Sequence, residues 1–131
     1  MLDIFAKFAT DEKLEIEGAW QPFQGTRVLI ARVGNPAYSK MLNKLITENK
    51  DVLDREDDAA DALSKQIMID VYASKILLGW EDFGFKGEPL PYSLANAKML
   101  LGVNDFRAAI ATLANKFDAY KVKQEMEQGE A

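Results

Sequence analysis

Between Leu77 and Ser93 the chain reads Leu-Leu-Gly-Trp-Glu-Asp-Phe-Gly-Phe-Lys-Gly-Glu-Pro-Leu-Pro-Tyr-Ser, and no other stretch restricts the fold as much. Gly79, Gly84 and Gly87 accept positive φ at little cost. Pro89 and Pro91 hold their own φ and push Glu88 and Leu90 toward extended backbone. Trp80, Phe83, Phe85 and Tyr92 are too large and apolar to be left in water. An ordered loop folded back on its neighbours satisfies all three constraints. A flexible linker would be rich in Gly and Ser and free of such rings.

Helical patterns bracket this loop. Asn35-Pro36 is a helix start, with Asn at the N-cap and Pro in the first turn. Tyr38, Met41, Leu42, Leu45 and Ile46 then recur at spacings of three and four, which predicts a helix ending near Asn49. The acidic segment from Lys50 to Asp58 predicts a loop into a second helix, from about Asp57 to Leu78, with Gly79 as its stop. Leu63, Ile67, Val71 and Leu78 mark one face, and Met68, Ile69, Tyr72 and Ile76 widen it so far that the helix must be central or touch several neighbours. Ser93 is an N-cap for a short helix closed by Gly102. A last helix opens at Asn104 or Asp105 and carries Phe106, Ala109, Ile110, Leu113, Phe117 and Tyr120.

The first residues, Met1 to Ala9, suit a short helix or a strand. Leu14-Glu15-Ile16-Glu17 alternates strictly, which predicts a half-buried strand. Trp20 to Gly25 reads as a connection, and Thr26 to Arg32 as a second, antiparallel strand. The expected architecture is mainly α (α+β): four main helices with a small N-terminal antiparallel β element. It forms a single domain over 1–131, with a β-containing segment 1–34, a helical core 35–120 and a flexible tail 121–131.

Composition narrows the function. A net charge of −5 with scattered Lys and Arg argues against direct nucleic-acid binding. The absence of Cys and His removes thiolate chemistry, the commonest general base and the commonest metal ligand. Carboxylate pairs such as Asp57-Asp58 and Glu81-Asp82 lie on polar segments, where solvation explains them better than acid–base work in a pocket. Asp54-Arg55-Glu56-Asp57-Asp58 lacks the spacing and the glycine of a Ca²⁺ loop. The glycines after Leu78 lack the spacing and the Lys-Ser/Thr of a phosphate loop. No apolar run reaches the length of a membrane span, and no secretory signal opens the chain. The expectation is a cytoplasmic binding protein that is not an enzyme, with no cofactor and no metal.

Two blocks carry a family resemblance. The first is Gly79-Trp80, then acidic and glycine positions, then Gly87-Glu88-Pro89-Leu90-Pro91-Tyr92-Ser93, Asn96 and the Leu100-Leu101 pair. The second is Ile30-Ala31-Arg32-Val33-Gly34-Asn35-Pro36-Ala37-Tyr38. In content, order and chain length they resemble the tail assembly chaperones of long-tailed (siphovirus-type) bacteriophages and prophages. The resemblance implies a protein that binds and solubilises the long helical tape measure protein. It implies a longer form, made by programmed frameshifting, that recruits tail tube subunits. It implies work in the host bacterial cytoplasm and absence from the mature virion.

Arg32, Asn35, Tyr38, Trp80, Phe83, Pro89 and Tyr92 are the motif positions and the candidates for partner contact. Each also has a plain structural explanation: Asn35 as a cap, Arg32 as half of an ion pair, the rings as staples of the loop. Self-association along the client is a further expectation. The alternatives are a helical adaptor or minor structural protein of a phage particle, and a small enzyme working with carboxylates alone.

Overall fold

In the computed structural model, residues 1–122 are described; they form seven α-helices, five short strands and a 3-10 turn. The class is α+β, with four longer helices as expected. They are α3 (Pro36–Glu48), α5 (Asp58–Lys75), α6 (Leu94–Leu101) and α7 (Asn104–Ala114). Three are shorter: α1 (Ile4–Phe8), α2 (Glu12–Glu17) and α4 (Lys50–Leu53), the last within a segment expected to be loop. The tail expected over 121–131 lies, from residue 123 on, outside the described residues. Lys121 itself bridges to Thr10, and Val122 donates its amide to the Ala9 carbonyl.

The β structure departs most from expectation. Leu14–Glu17 is helical within α2, not a strand. The Asp11 carboxylate accepts from the Lys13 and Leu14 amides, and Gly18 at φ 95° receives the chain at the other end. Two satisfied ends decide a six-residue segment more strongly than four residues of alternation. The first strand is instead β1 (Ala19–Phe23), paired antiparallel with β2 (Thr26–Ile30) through a two-residue turn at Gln24-Gly25. Both turn residues have positive φ, 51° and 84°, the arrangement that matches strand twist in a tight hairpin. Pro22 is tolerated because β1 is an edge strand.

The third strand, β3 (Leu77–Trp80), comes from the segment expected to end the long helix. Helix α5 stops at Lys75. From Leu77 the chain pairs antiparallel with β2, with a register shift at Leu29/Ile30, and the sheet order is β1-β2-β3. A helix continuing past Ile76 would leave one edge of β2 unpaired beside the fully buried Val28 and Ile30. Gly79 is therefore a strand residue, not a helix stop. A second hairpin, β4 (Gly84–Phe85) with β5 (Glu88–Pro89), turns at Lys86-Gly87, again both at positive φ. The β elements are thus not confined to the N-terminal part.

Helix α5 is the central helix. It packs against α3, α4, α6 and β3, and buries Ile67, Ile69, Val71, Tyr72 and Ala73. The last helical pattern is also shorter than expected. It breaks at Asn115-Lys116 and resumes as the 3-10 turn Phe117–Tyr120. That turn drives Tyr120, fully buried, against the sheet. Its hydroxyl donates to the Ile30 carbonyl and accepts from the Gln21 side-chain amide, which also donates to the Leu113 carbonyl. Burial pushes the Tyr120 phenol up to about 12.

Candidate binding surface

The loop after β3 is rigid because its rings use both their faces and their polar atoms. Trp80 stacks on Phe83 at 4.8 Å and meets Tyr92 edge-on at 4.9 Å. The Trp80 indole N–H donates to the Leu90 carbonyl, and the Tyr92 hydroxyl donates to the Leu77 carbonyl. Phe83 continues the cluster to Phe23 and Phe106, at 6.0 and 6.1 Å. These contacts hold the loop against β1 and α7. Among the three glycines expected to supply positive φ, only Gly87 does so; Asp82 and Lys86 take the other left-handed positions. Pro89 lies exposed in β5.

Beside the cluster, Phe23, Phe83, Leu100 and Phe106 form the apolar floor of an open notch of about 290 Å³, rimmed by Gln24, Thr26 and Asp82. Next to the notch, a bidentate ion pair ties β2 to the residue after β3. Arg27 donates to both Glu81 carboxylate oxygens at 2.9 and 2.8 Å, and its guanidinium lies 4.4 Å from the Trp20 ring centre. The hydrogen bond from Arg27 holds the Glu81 carboxyl below its ordinary range and raises the guanidinium in return.

The second motif block sits where the chain passes from β2 into α3. Asn35 is buried; its side-chain Oδ1 accepts from the Tyr38 amide, and its side-chain NH₂ donates to the Arg32 carbonyl. Arg32 pairs with Glu15 at 2.7 Å and so ties α2 to the strand end. Tyr38 is buried edge-on against Tyr72 of α5. The two motif blocks thus form two separate knots of contacts. Trp80, Phe83 and Tyr92 meet one another, and Arg32, Asn35 and Tyr38 meet another set of partners. Of these residues Tyr92 and Pro89 are exposed and Phe83 is half-buried.

A trough lined by no motif residue runs between α5 and α7. Met68 and Tyr72 line it from α5, and Asn104, Arg107, Ala108 and Ala111 from α7; it holds about 250 Å³. Arg107 is fixed at its end by donating to the Leu101 carbonyl and to the Asn104 side chain. Helix α7 turns Ile110, Leu113 and Ala114 inward and presents Ala108 and Ala111 to the trough, so part of its wall is small. Of these residues the sequence marked Met68 and Tyr72 as part of a helix stripe and Asn104 as a helix start. The signal available for the rest was Ala at 108 and 111, one turn apart on the flank of an otherwise bulky stripe.

Among the described residues no group of three or more acidic side chains is placed to hold a metal ion, and no helix is long and apolar enough to cross a membrane. A family model described as YdaY prophage protein matches residues 33–130. The chain belongs to the YdaY prophage protein family. The matched YdaY region begins just before the Asn35 cap and includes every helix from α3 onward and the aromatic loop. The hairpin β1–β2 and the first two helices precede it. No curated protein and no solved structure matches the chain.

Proposed function

We propose that this prophage protein is a tail assembly chaperone. It covers the tape measure protein while the tail tube is built, and a longer frameshifted form adds the segment that recruits tube subunits. The trough between α5 and α7 carries the reading. Its walls are two helices, its lining is Met68, Tyr72, Ala108 and Ala111 with the polar Asn104 and Arg107, and it is open to solvent. Such a surface accepts an apolar side chain from a client helix, the alanines permitting close approach and Met68 adapting its shape. A shallow trough grips weakly. Many copies along one long client supply avidity, and the growing tube displaces them one at a time. Prophage membership and the two motif blocks support the phage-tail assignment. In this reading the protein binds and does not catalyse, acts in the host cytoplasm and leaves before the virion is complete.

The test is co-expression with the long helical protein encoded downstream. The wild-type chain keeps that protein soluble. Ala108→Glu places a charge in the trough at an exposed helix position, so it loses this effect while keeping its own melting temperature. Equal client solubility with and without the chain refutes the reading. Persistence of the chain in purified virions would instead identify a structural subunit.

A further inference from the structure

The N-terminal helix, with Leu2 just ahead of its cap, displays largely exposed apolar side chains. Leu2, Ile4, Phe5 and Phe8 are 61, 59, 71 and 55 % exposed, and no residue of α1 is buried. The helix is nevertheless held in place. Asp3 caps it through the Ala6 amide, Phe8 stacks on Phe117 at 5.9 Å, and the chain beyond it is paired at Ala9 and Thr10 with Val122 and Lys121. At about 100° per residue, Ile4, Phe8 and Phe5 share one arc of roughly 100°, with Lys7 on one flank. With about 150–250 Å² for each phenylalanine, the four side chains present on the order of 500 Å². That is as large as the largest apolar patch of an ordinary monomer, at about 300–600 Å².

We propose that this face is covered by the same face of a second copy, in an antiparallel two-fold pair centred on Phe5. A two-fold contact must be complementary to itself. Antiparallel packing about Phe5 sets Leu2 against Phe8 of the other copy. It also sets Asp3 beside Lys7 of the other copy, twice, on one edge of the contact. In a parallel two-fold pair this flank of each helix would lie on opposite edges of the contact and neither Asp3–Lys7 pair would form, so the charges favour the antiparallel orientation. Two such faces cover on the order of 1,000 Å², the low end for a specific interface, so the dimer is weak and reversible, in the micromolar range. The proposal does not rest on the chaperone reading, because the α5–α7 trough shares no residue with this face.

Sedimentation of the full chain up to about 200 µM decides it. The wild-type protein shows a monomer–dimer equilibrium. Phe5→Glu remains monomeric over the whole range with an unchanged melting temperature, since α1 contributes nothing to the core. Lys7→Glu, which brings like charges together at both ends of the contact, weakens the dimer about tenfold at low salt. A wild-type chain that stays monomeric overturns the proposal, as does a Phe5→Glu chain that dimerises like the wild type. A monomeric wild-type chain that co-sediments with anionic phospholipid vesicles also overturns it, and gives the face to a lipid surface.

Discussion

Replacing Tyr120 by Phe removes one oxygen from a buried polar contact and leaves the ring. The hydroxyl donates to Ile30 at 2.9 Å and accepts from Gln21 at 3.2 Å. Gln21 keeps its bond to the Leu113 carbonyl, so the loss falls mainly on the Ile30 carbonyl, buried in β2. One buried bond broken with its acceptor left behind costs about 2 kcal/mol. For a domain of this length that lowers Tm by roughly 6–10 °C at neutral pH. The pH dependence gives an independent check. The phenol ionises near about 10 in the unfolded chain and at about 12 in the folded one. A raised folded value gives a contribution that is complete below the unfolded value and lost as pH rises toward the folded one. Burial also raises Tyr38, Tyr72 and Tyr92, but both proteins share those groups. The gap between wild-type and Tyr120→Phe melting curves should therefore narrow between about pH 10 and 12. A gap that stays constant across that range, or equal melting at neutral pH, would refute the role given to this residue.

Other substitutions test other joints. Trp80→Phe keeps the stack on Phe83 but leaves the Leu90 carbonyl without its donor; it should cost about 1–2 kcal/mol and speed proteolysis between Glu81 and Pro91, measured by limited digestion. Gly18→Ala should destabilise by about 1–3 kcal/mol in urea titrations, because Gly18 holds φ 95° and a new Cβ would lie 3.1 Å from Leu29. Gly79→Ala, with only ordinary contacts around the new Cβ, should lie within about 0.5 kcal/mol of wild type. On acidification, Glu81 contributes stability that is complete above the ordinary carboxylate range and disappears as pH falls through its lowered folded value. Glu81→Gln should accordingly flatten the acid side of the melting profile, while Asp57, held low by the Ala60 amide and then Arg55, keeps a residual slope in both proteins.

The longer helices were legible because their signals are local. Asn35 and Ser93 cap α3 and α6 through the third amide onward, as the sequence indicated. The strand at Leu77–Trp80 was not legible, since its cause is the unpaired edge of β2, nearly fifty residues earlier in the chain. The two tight hairpins were hidden by Gln24 and Lys86, which occupy left-handed positions where Asn or Gly would have announced a turn. The aromatic loop was readable as an ordered element, because Trp80, Phe83 and Tyr92 had to find neighbours somewhere. The α5–α7 trough was not, because Ala108 and Ala111 shape it by what they lack, and periodicity registers bulk.

Methyl NMR of the full chain tests the binding reading most directly. A helical segment of the long downstream-encoded protein is titrated into chain labelled at Met and Ala methyls. The account predicts that Met68, Ala108 and Ala111 shift together and saturate, while Met99, exposed on α6 outside the trough, stays in place. Binding that leaves Met68 and the two alanines unmoved would contradict it.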